Sequence, residues 1–144
     1  MSQLRIMNGE IKYIVEKTSR TWYVVFEPRR GEFHFWHLFT RKKFNHVWAY
    51  TPLETGTLIV AFNPHECLLE EWPLKAEEVA QFLSKDVTAV LKYKANYEAF
   101  KRYMPRGIIN CVVLVKCLLG VGEFSLTPLG LYKQLKRMGA TDDK

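Results

Sequence analysis

Apolar and polar residues alternate in Glu10–Val15, where the apolar positions are Ile11, Tyr13 and Val15, whereas Thr21–Glu27 holds the unbroken apolar run Trp22-Tyr23-Val24-Val25-Phe26. Alternation in the first stretch, and aromatic and β-branched side chains in the second, predict strands. Lys17-Thr18-Ser19-Arg20 predicts a turn between them, and Pro28-Arg29-Arg30-Gly31 a loop. Phe33–Phe44 is rich in aromatics and histidine but has no period. Beyond it, Asn45–Tyr50 and Thr57–Phe62 read as a hairpin closed by Thr51-Pro52-Leu53-Glu54-Thr55-Gly56, with Asn63-Pro64 ending the second strand. Cys67 is expected in the loop that follows.

The period then lengthens. Lys75–Ser84 carries Val79, Phe82 and Leu83 at helical spacing, with Glu77-Glu78 early, and predicts a short amphipathic helix. Val87–Tyr93 returns to alternation, a further strand. After Pro105-Arg106-Gly107, the run Ile108–Leu119 is apolar nearly all round and closes on Gly120, the pattern of a buried helix with a glycine C-cap. Thr127-Pro128 opens a last helix to about Met138, with an apolar stripe at Leu131, Leu135 and Met138. Thr141–Lys144 is expected to fray. Strands and helices mix without a βαβ rhythm, so the predicted class is α+β: a small antiparallel sheet packed on a helix.

Composition narrows this little. At 144 residues, 48% hydrophobic and 14% aromatic, one globular domain over 1–144 is expected. No window reaches the ~18 apolar residues of a membrane span. The N-terminal stretch lacks a signal-like apolar segment, so a cytoplasmic location is expected. Three cysteines without a CxxC pair argue for free thiols. The net charge of +6 gathers at Arg29-Arg30, Arg41-Lys42-Lys43, Lys92/Lys94, Lys101-Arg102 and Lys133/Lys136-Arg137, compatible with a solvated face or an acidic partner.

The candidate chemistry lies in Cys111 and His46. Asn110 is a good N-cap, which puts Cys111 in the first helical turn beside unpaired backbone N–H groups that favour thiolate and can hold an oxyanion. Cys117, later on the same helix, is expected to be inert packing. His46 begins a strand on which His46, Trp48 and Tyr50 share a face. An imidazole from a separate strand can serve as base to a thiol if a third group orients it. Asn63, at the end of the neighbouring strand, is the first choice for that role and His65 the competitor.

These pieces, in this order, resemble a family. The strand Phe44-Asn45-His46-Val47-Trp48-Ala49-Tyr50, the polar end of the next strand, and the helix Asn110-Cys111-Val112-Val113-Leu114-Val115-Lys116 look like the circularly permuted NlpC/P60 papain-like superfamily. The lecithin retinol acyltransferase-like proteins belong to this branch. Small phage-encoded proteins are similar, including a trailing Thr127-Pro128-Leu129-Gly130-Leu131-Tyr132 element. The resemblance implies a thiol-protease-like hydrolase of phage type with nucleophile Cys111, base His46 and, as orienter, Asn63. Acyltransferase-like members usually carry Glu-His after Asn-Cys where this chain has Val112-Val113, so lipid acyl transfer is the less expected branch.

The expected function is therefore hydrolysis or acyl transfer at an amide, ester or thioester bond, with a peptide or peptidoglycan-like substrate favoured. No cofactor or metal is assigned. His34-x-x-His37 and His65-x-Cys67 offer zinc-type ligands at loose spacing. Two other readings stay open. One is a catalytically inactive, phage-derived protein that binds a host protein. The other is a single-strand nucleic-acid binder using Phe33-His34-Phe35-Trp36-His37-Leu38-Phe39 and Arg41-Lys42-Lys43.

Overall fold

A computed structural model of the chain describes residues 3–7, 10–14, 19–31, 42–63, 66–83, 86–95, 110–122 and 125–143. Eight strands and three helices are found there. In chain order they are β1 (Gln3–Met7), β2 (Glu10–Ile14), β3 (Arg20–Glu27), β4 (His46–Pro52), β5 (Thr57–Asn63), β6 (Glu66–Trp72), α1 (Ala76–Leu83), β7 (Ala89–Ala95), α2 (Cys111–Leu119), α3 (Pro128–Arg137) and β8 (Thr141–Asp142). The fold is mixed α+β. Six strands form one antiparallel sheet in the order β6-β5-β4-β3-β7-β8, and β1 and β2 pair separately. No helix among the described residues is long and apolar enough to cross a membrane.

The centre of the sheet follows from the sequence. β3 and β4 hold the most continuous aromatic and β-branched runs, and Val24, Val25, Phe26, Val47, Ala49 and Tyr50 are fully buried. Residues buried on both faces need a layer on each side. Even positions of β3 and odd positions of β4 (Val24, Phe26, Val47, Ala49) pack with Val112, Val115 and Leu119 of α2 and Leu131 and Leu135 of α3. The opposite set (Tyr23, Val25, Trp48, Tyr50) packs with Ala76 and Val79 of α1. The hairpin from β4 to β5 turns through Leu53–Gly56, where the Leu53 N–H donates to the Gly56 carbonyl at 2.8 Å. A Cβ on Gly56 would meet the Trp72 carbonyl oxygen at 2.2 Å, so glycine is required there.

Both later helices are fastened where expected. The Asn110 side chain accepts from the Val113 N–H at 2.9 Å and caps α2. Gly120 ends it in the left-handed region (φ 66°), with the Val121 N–H returning to the Lys116 carbonyl at 3.0 Å. Thr127 caps α3 through the Gly130 N–H at 3.1 Å, and Pro128 takes its first turn.

Four expectations are corrected. Cys67 lies within β6, not in a loop, because the chain turns straight back along β5. Phe82 is 76% exposed, so α1 buries Val79 and half of Leu83 but not the whole stripe. Met138 is likewise exposed at the end of α3. Thr141–Asp142 does not fray: it pairs with β7 as β8, held by Lys136 Nζ to the Asp142 carboxylate at 2.7 Å and by Asp143 N–H to the Val90 carbonyl at 3.0 Å. β1 also lay outside the predicted elements, although the sequence between it and β2 is Asn8-Gly9, a strong hairpin signal.

Candidate functional site

The ladder between β4 and β5 runs from Pro52↔Thr57 to Ala49↔Val60. Both strands continue beyond it, β4 to His46 alongside β3 and β5 to Asn63 alongside β6, with no pairing to each other among the described residues. The sheet therefore opens at one end, between the strands whose ends are His46 and Asn63. The first turn of α2 lies over β4 there. Cys111 belongs to the core on the α2 side, and its sulfur is addressed by the backbone N–H groups of Val47, Val112 and Cys111 itself. The Val47 N–H is part of the peptide that joins it to His46. Cys111 thus meets the β4 backbone at the residue after His46, from a position far away in sequence.

Their electrostatics differ from the expected thiolate. Burial pushes the Cys111 thiol up from its ordinary value, and the three N–H donors pull against that without overcoming it. Burial also lowers His46, opposed by the nearby Glu27 carboxylate. Both shifts favour the uncharged forms, so the resting site holds a thiol and a neutral imidazole. Cys117 is half-buried and also pushed up by burial, with Lys116 acting against it, and Cys67 is exposed.

The orientation of His46 is the second finding. Counting back from Val47, alternation puts His46 on the α1 side with Trp48 and Tyr50, across from Glu27 of β3. Counting forward from Phe44, which packs on the α2 side against Phe26 and Tyr132, it falls on the α2 side. The ladder with β3 is regular through Glu27↔His46, so alternation breaks before β4 begins, between Phe44 and His46, and His46 keeps to the Glu27 side. Among the described residues, no hydrogen bond joins the Cys111 sulfur to the imidazole.

Asn63 ends β5 opposite Glu66 of β6. The β4–β5 ladder ends at Ala49↔Val60, and no pairing among the described residues brings Asn63 to His46. His65, His34, His37 and the aromatic run from Phe33 to Phe39 lie outside the described residues. Among the described residues, no three His, Cys, Asp or Glu side chains are placed to hold a metal. Glu27 is the residue that sequence reasoning missed. Its signal was a carboxylate ending an apolar strand, but only the β3–β4 register makes it the neighbour of His46. A scan against protein-family models and searches among curated proteins and solved structures found no match to this chain.

Proposed function

We propose that the protein is a cysteine-nucleophile hydrolase or acyltransferase acting on an amide, ester or thioester carbonyl, with a peptide or peptidoglycan-like substrate favoured. One observation carries the reading: the Cys111 sulfur lies at the capped start of α2, against the backbone of the His46–Val47 peptide. A permuted papain-like frame needs this juxtaposition.

The mechanism follows from the neutral resting pair. A substrate carbonyl enters over the first turn of α2. His46 accepts the thiol proton as the carbon–sulfur bond forms, which requires its ring to turn toward the α2 side. The negative charge moves to the carbonyl oxygen, where the N–H groups of Cys111 and Val112 are the available donors. Glu27 stabilises the imidazolium while it exists. The imidazolium then protonates the leaving amine, alcohol or thiol, leaving a thioester on Cys111. Water or another acceptor attacks the thioester, gives its proton to His46, and the thiol is restored. Asn63 is the proposed orienter of the ring.

Two reagents test this on one protein. Iodoacetamide reads thiolate content and access without base or oxyanion assistance, so at pH 6 to 7 Cys111 should alkylate more slowly than exposed Cys67, and its rate should climb with pH into the alkaline range. A nitrophenyl ester also reads base and oxyanion assistance, so acylation should favour Cys111 and fall by about 10²-fold or more in His46→Gln. Mass spectrometry locates both modifications. Acylation of Cys67 ahead of Cys111, or no change in His46→Gln, overturns the reading.

A further inference from the structure

The sheet has one edge whose charge opposes that of the molecule. From Leu53 to Leu83 the chain carries Glu54, Glu66, Glu70, Glu71, Glu77 and Glu78 against Lys75 alone, in a protein of net charge +6. Three of these glutamates lie on β6, which pairs with β5 on one side and, among the described residues, with no strand on the other. Pairing is continuous from Thr57↔Trp72 to Asn63↔Glu66, so no bulge twists the strand away. An edge strand directs alternate N–H and C=O groups outward, and sheets usually guard such an edge with charged side chains, proline, a bulge or a covering element. β6 has no lysine and no proline, and the charges it carries are carboxylates, which guard it against a second copy or an acidic strand but not against a cationic one.

Its side chains are also open. Leu69 is 67% exposed, and Glu66, Cys67, Glu70 and Glu71 are exposed with it. Glu66 and Glu70 lie on the α1 side with Leu68, while Leu69 and Glu71 lie on the other. Glu70 accepts from Trp72 Nε1 at 3.0 Å and Glu71 from the Thr55 hydroxyl, which hold both carboxylates beside the strand. Two copies meeting through this edge would bring together three glutamates from each, which disfavours a symmetric dimer. An extended cationic segment meets no such repulsion.

We propose that β6 is a docking edge for an extended, lysine- or arginine-bearing segment of a partner protein, which adds as a seventh strand. Backbone hydrogen bonds supply the affinity, and side chains at alternate positions supply the selectivity. The favoured segment places cations over Glu66 and Glu70 on one face and an apolar residue beside Leu69 on the other. No part of this depends on Cys111.

The probe is a short synthetic peptide alternating lysine with valine, titrated into the whole protein by calorimetry and followed by amide hydrogen exchange. Alternate β6 amides should become protected, and binding should weaken as salt rises. The same peptide N-methylated along one edge, and the Glu66→Lys/Glu70→Lys variant, should each bind at least about tenfold more weakly. Four results would overturn the proposal. These are equal binding by the N-methylated peptide, equal binding by a glutamate–valine peptide, unchanged binding by the variant, and self-association of the peptide-free protein through β6. The modified peptide needs no protein variant, so a folding defect in the double substitution does not spoil the test.

Discussion

The two faces of the six-stranded sheet are covered in different ways. On one, α2 and α3 close over an aliphatic core, and side-chain or glycine caps fix three of their four ends. On the other, α1 is the one helix among the described residues that covers an aromatic layer, in which Tyr23 and Tyr50 stack at 4.9 Å, 5° from parallel. α1 begins with half of a capping box, the Glu78 carboxylate accepting from the Lys75 N–H at 2.7 Å, and leaves Phe82 in solvent. Cys111 belongs to the tightly fastened face. A thiol meant to meet a carbonyl needs donors that do not move, and caps with close packing supply that rigidity. The thinner face shows where the fold can absorb change.

Leu135→Ala should have the largest effect. Leu135 is fully buried beneath α3, and deleting such a side chain costs about 2–5 kcal/mol. Phe82→Ala on the other face should stay within about 0.5 kcal/mol, as for a surface change. Urea denaturation of both variants measures the difference. Equal losses would mean that the two faces are equally essential.

How much of this was legible depended on whether a segment buries apolar side chains. The β4–β5 hairpin was readable because Val47-Trp48-Ala49-Tyr50 is an unbroken run of strand-forming apolar residues and the turn residues follow. α3 was readable because Thr127-Pro128 states where a helix begins. β6 was not: Cys67-Leu68-Leu69-Glu70-Glu71 has no period two, because an edge strand that half-buries only Leu68 and Trp72 is under little pressure to alternate. β8 is two residues long, too short for any period. At the candidate site, the cap on Cys111 could be read locally from Asn110. The neighbourhood of His46 could not, since Glu27 reaches it only through register and Val47 reaches the sulfur only through tertiary packing. Burial also reversed the expected effect on the thiol: the helix start offers donors, but desolvation outweighs them.

The cap gives the next test, at the junction of fold and chemistry. Asn110→Ala removes the acceptor for the Val113 N–H and should cost about 1 kcal/mol. Acylation of Cys111 should slow as the first turn loosens. Asn110→Asp keeps the cap and should recover the stability, but it adds an anion beside the sulfur. Alkylation of Cys111 should then need a higher pH than in the parent protein. Stability restored without a change in that pH profile would place the sulfur beyond the cap's electrostatic reach.

Tyr50→Phe should have the smallest effect, and its sign is informative. Tyr50 is fully buried, and among the described residues its hydroxyl has no hydrogen-bond partner. Burial and the nearby Asp143, Tyr23 and Glu77 push the phenol far up, so it stays protonated across the physiological range. An unsatisfied buried hydroxyl has lost its water bonds without replacement. Removing it while keeping the ring preserves the stack on Tyr23 and relieves that cost. Tyr50→Phe should therefore leave stability unchanged or raise it by up to about 1 kcal/mol. A loss larger than that would show that the hydroxyl has a partner in solution, and that the aromatic face is held by polar contacts as the other is held by caps.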